Sequence, residues 1–326
     1  MKATAIAPAN IAFIKYWGKK DEKLRIPANA SISMNLSAAY TTTTVEFSEN
    51  FIRDSVELID GSFSDKEVAR IILHLDRIRA RVGFAYCARV LTKNSFPKGT
   101  GIASSASGFA ALTIAGCAAA GLSLSEKELT ILARLGSGSA CRSIPDGFVE
   151  WTNGEASEDS YAHSLFSQKY WDIRDLLCIV ETKKKEISST KGMELVSTSP
   201  YWEMRQKEIP ERIARVKDAL KEKNIKLLGE TIEEDCLSMH NIMNTQKPPI
   251  YYWTATTEDC IKEVTAIRAS GVFAYFTIDA GPNVHIICEA KDETKVLSRV
   301  KQISGVQSVL VNAPSVGTRL INNHVL

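Results

Sequence analysis

The chain has 326 residues, 44% of them hydrophobic and 24% charged, enough for roughly two domains at about 150 residues each. That composition excludes disordered, collagen-like and disulfide-scaffold classes. With 40 Lys and Arg against 38 Asp and Glu, the net charge is +2, so no basic field points to nucleic acid or an anionic membrane, and any cation that binds an anion acts locally.

In chain order, Lys2–Ala7 alternates weakly and predicts a strand. Its surroundings, MKATAIAPANIAFIKYWGKK, lack the long apolar region and cleavage site of a signal peptide. Tyr40–Phe47 is β-branched and aromatic, a second strand. Ser64–Val82 has apolar residues at helical spacing, and Tyr86–Thr92 predicts another strand. Gly99 to Ser125 carries no charge, but its strongly apolar part runs only from Phe109 to Leu122, short of the about 20 residues a membrane span needs. It reads as a buried helix behind a polar loop. Ser125–Leu135 opens with a capping box, Ser125 and Glu128.

A second unit begins with the strand Leu176–Val180. Glu208–Lys221 and Ile225–Asn244 predict amphipathic helices, with Pro210 in the first turn of the former. Cys260–Ser270 predicts a third helix. Val272–Ile278 and Val284–Glu289 are strands either side of DAGPN, followed by a helix at Thr294–Ile303 and a strand at Val306–Val311. The expected organisation is two α+β domains, residues 1–175 and 176–326. Seven cysteines without a CxxC pair read as reduced, partly buried thiols of a cytoplasmic protein. The five histidines do not cluster, and no transition-metal site is expected; His240 is expected to be a core or helix-face residue.

The strongest local signal is PKGTGIASSAS. Gly99 and Gly101 remove side chains that would block a phosphate. The helix behind them offers free N–H groups and a positive dipole end, and Ser104, Ser105 and Ser107 add hydroxyls. No GK[ST] follows, so this is not a Walker A loop. By itself the pattern fits equally well a glycine-rich turn whose serines cap a helix.

Together with NIAFIKYWGKKD (Asn10–Asp21), IPANASISMNLS (Ile26–Ser37), GSGSACRSIPDGFVEW (Gly136–Trp151) and YFTIDAGPNV (Tyr275–Val284), the loop resembles the diphosphomevalonate decarboxylase family of the GHMP kinase superfamily. The resemblance runs essentially end to end. It implies a GHMP kinase fold: an N-terminal α+β domain with the phosphate loop, a C-terminal ferredoxin-like domain, and a site in the cleft between. It implies ATP and Mg2+ as cofactors, a phosphorylated mevalonate as substrate, no nucleic-acid or membrane partner, and a homodimer, which is common in the family. The reaction phosphorylates the 3-hydroxyl, then loses phosphate and carbon dioxide.

Carried over residue by residue, Asp279 is the expected catalytic carboxylate and Arg142 the fork for the substrate carboxylate. Asn10 and Lys15 line the reacting end, Lys15 being able to lower the Asp279 pKa. Tyr16 and Lys19 match positions for the distal phosphate. Ser137 and Ser139 lie in the Arg142 loop. Ser188, Ser189, Thr190 and Met193 match a segment closing over substrate, and Lys185, from the run Lys183–Lys185, is expected on the ATP phosphates. Gly99, Gly101, Ser104, Ser105 and Ser107 are expected at the nucleotide.

Two positions depart from the family pattern. Thr190 stands where diphosphate-using members carry an arginine, and Asp146 stands where a glycine is usual. One fewer cation and one more anion favour mevalonate 5-phosphate, giving isopentenyl phosphate, over the 5-diphosphate, giving isopentenyl diphosphate. A mevalonate 3-kinase that stops before decarboxylation, and a non-catalytic binding module, are the rival readings.

Overall fold

The computed structural model describes residues 1–96, 104–180 and 187–325. The first part of the chain runs through β1 (Lys2–Ala12), a short ribbon of β2 (Lys19–Asp21) and β3 (Ile26–Pro27), the long β4 (Ser31–Ser48), β5 (Ser55–Leu58), α1 (Asp65–Val82), β6 (Cys87–Asn94), α2 (Ser104–Ala119), α3 (Glu126–Gly136), β7 (Phe148–Trp151) and β8 (Ala162–Phe166). There follow β9 (Ile173–Ile179), α4 (Ser189–Met193), α5 (Trp202–Glu222), α6 (Ile225–Thr245), α7 (Ala255–Ala269), β10 (Ala274–Thr277), β11 (Val284–Glu289), α8 (Glu293–Val300), β12 (Ser308–Asn312) and β13 (Arg319–Ile321).

β4 organises the first sheet, whose order is β13-β1-β4-β6-β5. It pairs with β1 along one edge. Its other edge divides, Thr41–Ser48 pairing with β6 and Ser31–Met34 with β7, which carries β8. The β1–β4 register shifts between Pro8 and Asn10. Such an irregularity re-aims side chains beside a site, and Asn10 is the next residue.

Helices α1, α2 and α3 cover one face of this sheet, with Ala5, Val45, Val90, Leu75, Ala111 and Leu132 in one apolar cluster. The uncharged α2 is buried on nearly every side, as a helix without a polar face must be. The predicted capping box forms at Ser125 with Glu128, and a second forms at Ser64 with Glu67.

The second sheet has the order β10-β11-β9-β12, all antiparallel. Its strands alternate faces. Leu176, Cys178, Phe276, Ile278 and Ile286 face α7 and α8. Leu177, Ile179, Tyr275 and Ile287 face α5, α6 and the first sheet, where they join Ile11, Phe13, Ile32 and Met34. A smaller cluster of Trp17, Met193, Met239, Ile242, Met243 and Ile250 seats α4 on α6.

The structure departs from the sequence expectations in several elements. α5 begins at Trp202, so Pro210 lies inside the helix rather than in its first turn. The added turns bring Trp202 against Gly18 and bury Arg205. α7 starts at Ala255, capped by Thr254. β5, β7, β8, β13 and α4 carried no predicted counterpart, each being short. A division between residues 175 and 176 falls inside β9, which pairs with β11 and β12 from Ile173 to Ile179. β13, close to the C-terminus, pairs with β1.

Gly229 lets α6 lie on β10: a Cβ there would sit 2.0 Å from ring atoms of Tyr275, itself 1% exposed. Gly229→Ala would gain about 1 kcal/mol of helix propensity, yet overpacking a closed core costs about 1–3 kcal/mol. The clash is severe and faces a ring with no room to retreat, so the variant is expected to unfold at lower denaturant concentration. An unchanged or higher midpoint would contradict this packing.

Candidate active site

The site is built where the chain leaves β1. Past Ala12 the backbone quits the ladder, and Phe13 and Ile14 both donate to the Ile32 carbonyl. Lys15 follows, its side chain 1% exposed. Its Nζ donates to Asp279 Oδ1 at 2.6 Å. Lys15 belongs to the first layer and Asp279 follows β10 in the second, so the pair bridges them.

Asp279 keeps about a third of its side chain open (32%). Burial works to raise its pKa, but Lys15 first, then His285 and Arg142, outweigh that and hold it below the usual carboxylate value. The preceding residue is pinned from α6: Cys236 Sγ accepts the Ile278 N–H at 3.2 Å, and His240 Nε2 lies 3.3 Å from the Ile278 carbonyl. Burial pushes the His240 pKa down to about 3, so this ring is a neutral packing and orienting group, as expected from the sequence. His285 is held by both oxygens of the buried Asp175 at 3.0 Å.

Arg142 lies in a 3₁₀ turn, Gly138–Ser143, and is 3% exposed. Nη1 donates to Ser31 Oγ and Nη2 to Asn10 Oδ1, both at 3.0 Å. Asn10 Nδ2 donates in turn to Ser143 Oγ at 2.8 Å and to the Ser139 carbonyl at 3.2 Å. Asn10 therefore fixes the guanidinium and the loop that carries it. Among the described residues no carboxylate forms an ion pair with Arg142, and its Nε–H has no partner. Burial presses against its charge. Asp279 is near enough to support that charge, but with no carboxylate bonded to it among the described residues the buried guanidinium still favours an anionic ligand.

Tyr16 packs at a tilt against Trp151, with ring centroids 4.6 Å apart and planes at 60°. Its Oη is buried without a partner among the described residues, and burial raises its pKa, keeping the hydroxyl protonated. Gly138 leaves room for that ring, since a Cβ would lie 2.7 Å from Cε1. Lys19 is paired with Glu22 across one turn, its side chain buried and Glu22 exposed.

Beside the start of α2 lies a cleft with about 660 Å³ of empty volume, partly open to solvent and lined by Thr41, Glu67, Arg70, Ser104, Ser105 and Phe109. Ser137 Oγ donates to Ser105 Oγ at 3.2 Å, joining the cleft to the Arg142 loop. The expected Ser107 is not part of it: this side chain is wholly buried and bonded to Thr41 Oγ1 at 2.7 Å. Gly99, Gly101 and Lys185 lie outside the described residues.

Ser188 caps α4, accepting the Lys191 N–H at 3.3 Å. Ser189 and Thr190 form its first turn, with Thr190 exposed. Met193 is 8% exposed and packs with Trp17, so its role is seating α4. Asp146 is exposed to solvent. Its Oδ1 accepts the Gly317 N–H at 2.6 Å.

Four contributors were not anticipated: Ser31, Asp235, Arg205 and His285. Ser31 lies in a segment already noted for its resemblance. Asp235 interrupts an apolar stripe of Leu228, Ile232, Met239 and Ile242, and Arg205 lies on the stripe of Ile209 and Val216. A charge at a core-facing helical position is the available signal. His285 carries the usual alternation of a strand and gives none.

The chain matches the family model for the diphosphomevalonate decarboxylase-like N-terminal domain over residues 7–162. It matches that for the mevalonate 5-diphosphate decarboxylase C-terminal domain over residues 175–317. The diphosphomevalonate decarboxylase of Candida albicans is 36% identical over 314 residues, covering 91% of this chain and 86% of that protein. The crystal structure of mevalonate diphosphate decarboxylase from Staphylococcus aureus superposes with a TM-score of 0.93 at 38% identity, over 98% of both chains. A solved structure of MDDEF in complex with MVAPP, AMPPCP and magnesium gives 0.93 at 35% identity, over 99% of both. With family models spanning both halves and relatives above a third identical over nearly its whole length, the chain belongs to the diphosphomevalonate decarboxylase family.

Proposed function

We propose that the chain decarboxylates mevalonate 5-diphosphate at the expense of ATP, giving isopentenyl diphosphate, phosphate and carbon dioxide. One observation carries this reading above the others: a partly open carboxylate, Asp279, is kept ionised by a buried lysine beside a buried arginine that no carboxylate bonds directly among the described residues and whose Nε–H has no partner there. A kinase acting on any alcohol needs the carboxylate. The guanidinium held ready for a second anion fits a substrate that also carries a carboxylate to be lost.

The residues fit the nucleotide. The cleft at the start of α2 offers the Arg70 guanidinium 5.1 Å from the Phe109 ring centroid, and the hydroxyls of Ser104 and Ser105. A magnesium ion arriving with ATP would keep waters and phosphate oxygens as most of its ligands. When bound, ATP and its magnesium supply the phosphoryl group that makes a tertiary hydroxyl able to leave.

Each residue then has a task. Asp279 accepts the 3-hydroxyl proton, or orients it, and its charge favours positive character at the tertiary carbon as phosphate departs. Lys15 keeps Asp279 ionised. Arg142 holds the substrate carboxylate through its free Nε–H and fixes the bond to be cleaved. That carboxylate leaves as carbon dioxide, and its bonding pair becomes the new double bond. Tyr16 donates its unpaired hydroxyl to the terminal phosphate, and Lys19 exchanges Glu22 for the same anion. Ser188, Ser189 and Thr190 lie on α4, over the substrate.

A preference for the 5-phosphate rests on Thr190 and Asp146. Asp146 carries little weight, since it is solvent-exposed and screened, and the relatives are named for the diphosphate. Thr190 alone supports the second reading, turnover of mevalonate 5-phosphate.

Turnover of the two substrates side by side tests the choice. The 5-diphosphate is expected to give the higher kcat/KM, and Thr190→Arg to improve its KM by less than the about 10–150-fold that a full charge-assisted hydrogen bond is worth. A higher kcat/KM for the 5-phosphate would overturn the assignment. Asp279→Asn is expected to lower kcat about 10²–10⁴-fold while the unaltered protein releases carbon dioxide and ADP one for one. ADP without carbon dioxide would identify a kinase instead.

The pH profile gives a third test. A carboxylate whose pKa is depressed stays ionised as pH falls, so the acidic limb of kcat/KM is expected below the ordinary carboxylate range. Lys15→Met removes the largest stabilising charge and should move that limb to higher pH. A limb that stays in place would separate Lys15 from Asp279 ionisation.

A further inference from the structure

The ammonium of Lys15 can meet Asp279 only if its backbone is held in place, and the segment carrying it has left the sheet. Its N–H is not in a ladder. Asp235 Oδ2, from α6, accepts that N–H at 2.7 Å. The Lys15 carbonyl receives Asn29 Nδ2 at 3.0 Å and Arg205 Nη2, from α5, at 3.5 Å.

Asp235 is wholly buried and Arg205 is 1% exposed. Arg205 Nη1 lies 3.0 Å from Asp235 Oδ1 and also donates to the Asp235 carbonyl at 3.2 Å. Arg212, two turns along α5, adds its Nη1 at 3.7 Å from Asp235 Oδ1 and is itself tied to Glu208 and Glu234. These charges occupy the apolar stripes of two packed helices. Replacing a buried ion pair by apolar side chains of similar volume is often neutral or stabilising, so stability is a weak explanation for keeping it here. The pair supplies direction: one acceptor and one donor aimed at the N–H and C=O of a single residue.

We propose that Asp235 and Arg205 are positioning residues for the reaction, gripping the Lys15 backbone from α6 and α5 so that its ammonium reaches Asp279. This rests on the assignment of Lys15 and Asp279 as the reacting pair. It adds that the second half of the chain sets the position of a lysine belonging to the first. The charged and titratable groups facing this pair are Asp235, Arg205, His285 and Arg142, together with the neutral His240 and Cys236.

The test compares Asp235→Leu, Asp235→Asn and the double variant Asp235→Leu with Arg205→Met, which leaves no unpaired charge between the two residues. Steady-state kinetics across pH and an NMR titration of the Asp279 carboxyl carbon are the readouts. Misplacing a reacting group by about 1 Å costs on the order of 100-fold. Both leucine-bearing proteins are expected to lose at least about tenfold in kcat with KM changed by less than about threefold. Their acidic limb should move up, towards that of Lys15→Met. Asp235→Asn keeps an oxygen for the Lys15 N–H and should recover most of the loss. A merely structural role would lower the active fraction without moving the limb or the carboxyl titration. A folded double variant with native kcat and native limb would overturn the proposal. If the double variant does not fold, the same comparison of Asp235→Asn with the unaltered protein decides it by NMR: an Asp279 titration matching that of Lys15→Met would show that the asparagine does not restore the grip, against the proposal, and a near-native titration would support it. If Lys15→Met itself leaves the limb unmoved, the reading of the reacting pair fails instead.

Discussion

A lysine ammonium removed from water has to find an anion, and Lys15 finds Asp279 at 2.6 Å across the seam between two sheets. Neither partner is stable alone in that setting. A buried charge left without its partner is strongly destabilising, so any arrangement of the two layers that separates them is penalised. The same contact that orders the layers also keeps the carboxylate ionised while a third of its surface stays open to a ligand. Structural and chemical demands therefore meet in one hydrogen bond.

The surrounding polar groups divide into those already satisfied and those left waiting. Asn10, Ser31 and Ser143 make a closed set of hydrogen bonds that hold Arg142, and Cys236 holds the residue before Asp279. Arg142 Nε and Tyr16 Oη are among the buried polar atoms left without a partner among the described residues. Buried donors without acceptors are rare in folded proteins. Both belong to residues proposed to meet the substrate, and both would be satisfied by an anion bearing carboxylate at one end and phosphate at the other.

Much of this was legible in the sequence, and the limits are physical. Long helices declared themselves through spacing, and α3 also through the capping box its first turn spells out. The uncharged α2 could only be buried. Short strands such as β7 and β13 left no signal, since three or four residues hold too little periodicity. Pro210 was placed in a first turn because nothing upstream has strong amphipathic spacing; tertiary contacts of Trp202 and Arg205 extend the helix regardless. At the site, motif positions such as Asp279, Lys15, Arg142 and Asn10 were found directly, and the structure gathers them. Ser107 looked like its neighbours in a serine-rich run, but helical geometry turns it towards Thr41. Asp146 looked like a charge near the anion-binding residues, and only the return of the C-terminal segment shows where its carboxylate is spent.

That return has a topological outcome. Because β13 lies against β1, the polypeptide enters the second sheet once and leaves it once, and both crossings are anchored in the same first sheet. The later unit is thus hung like a door on two straps instead of trailing from one. Leashing at both ends restricts swivel far more than a single linker would.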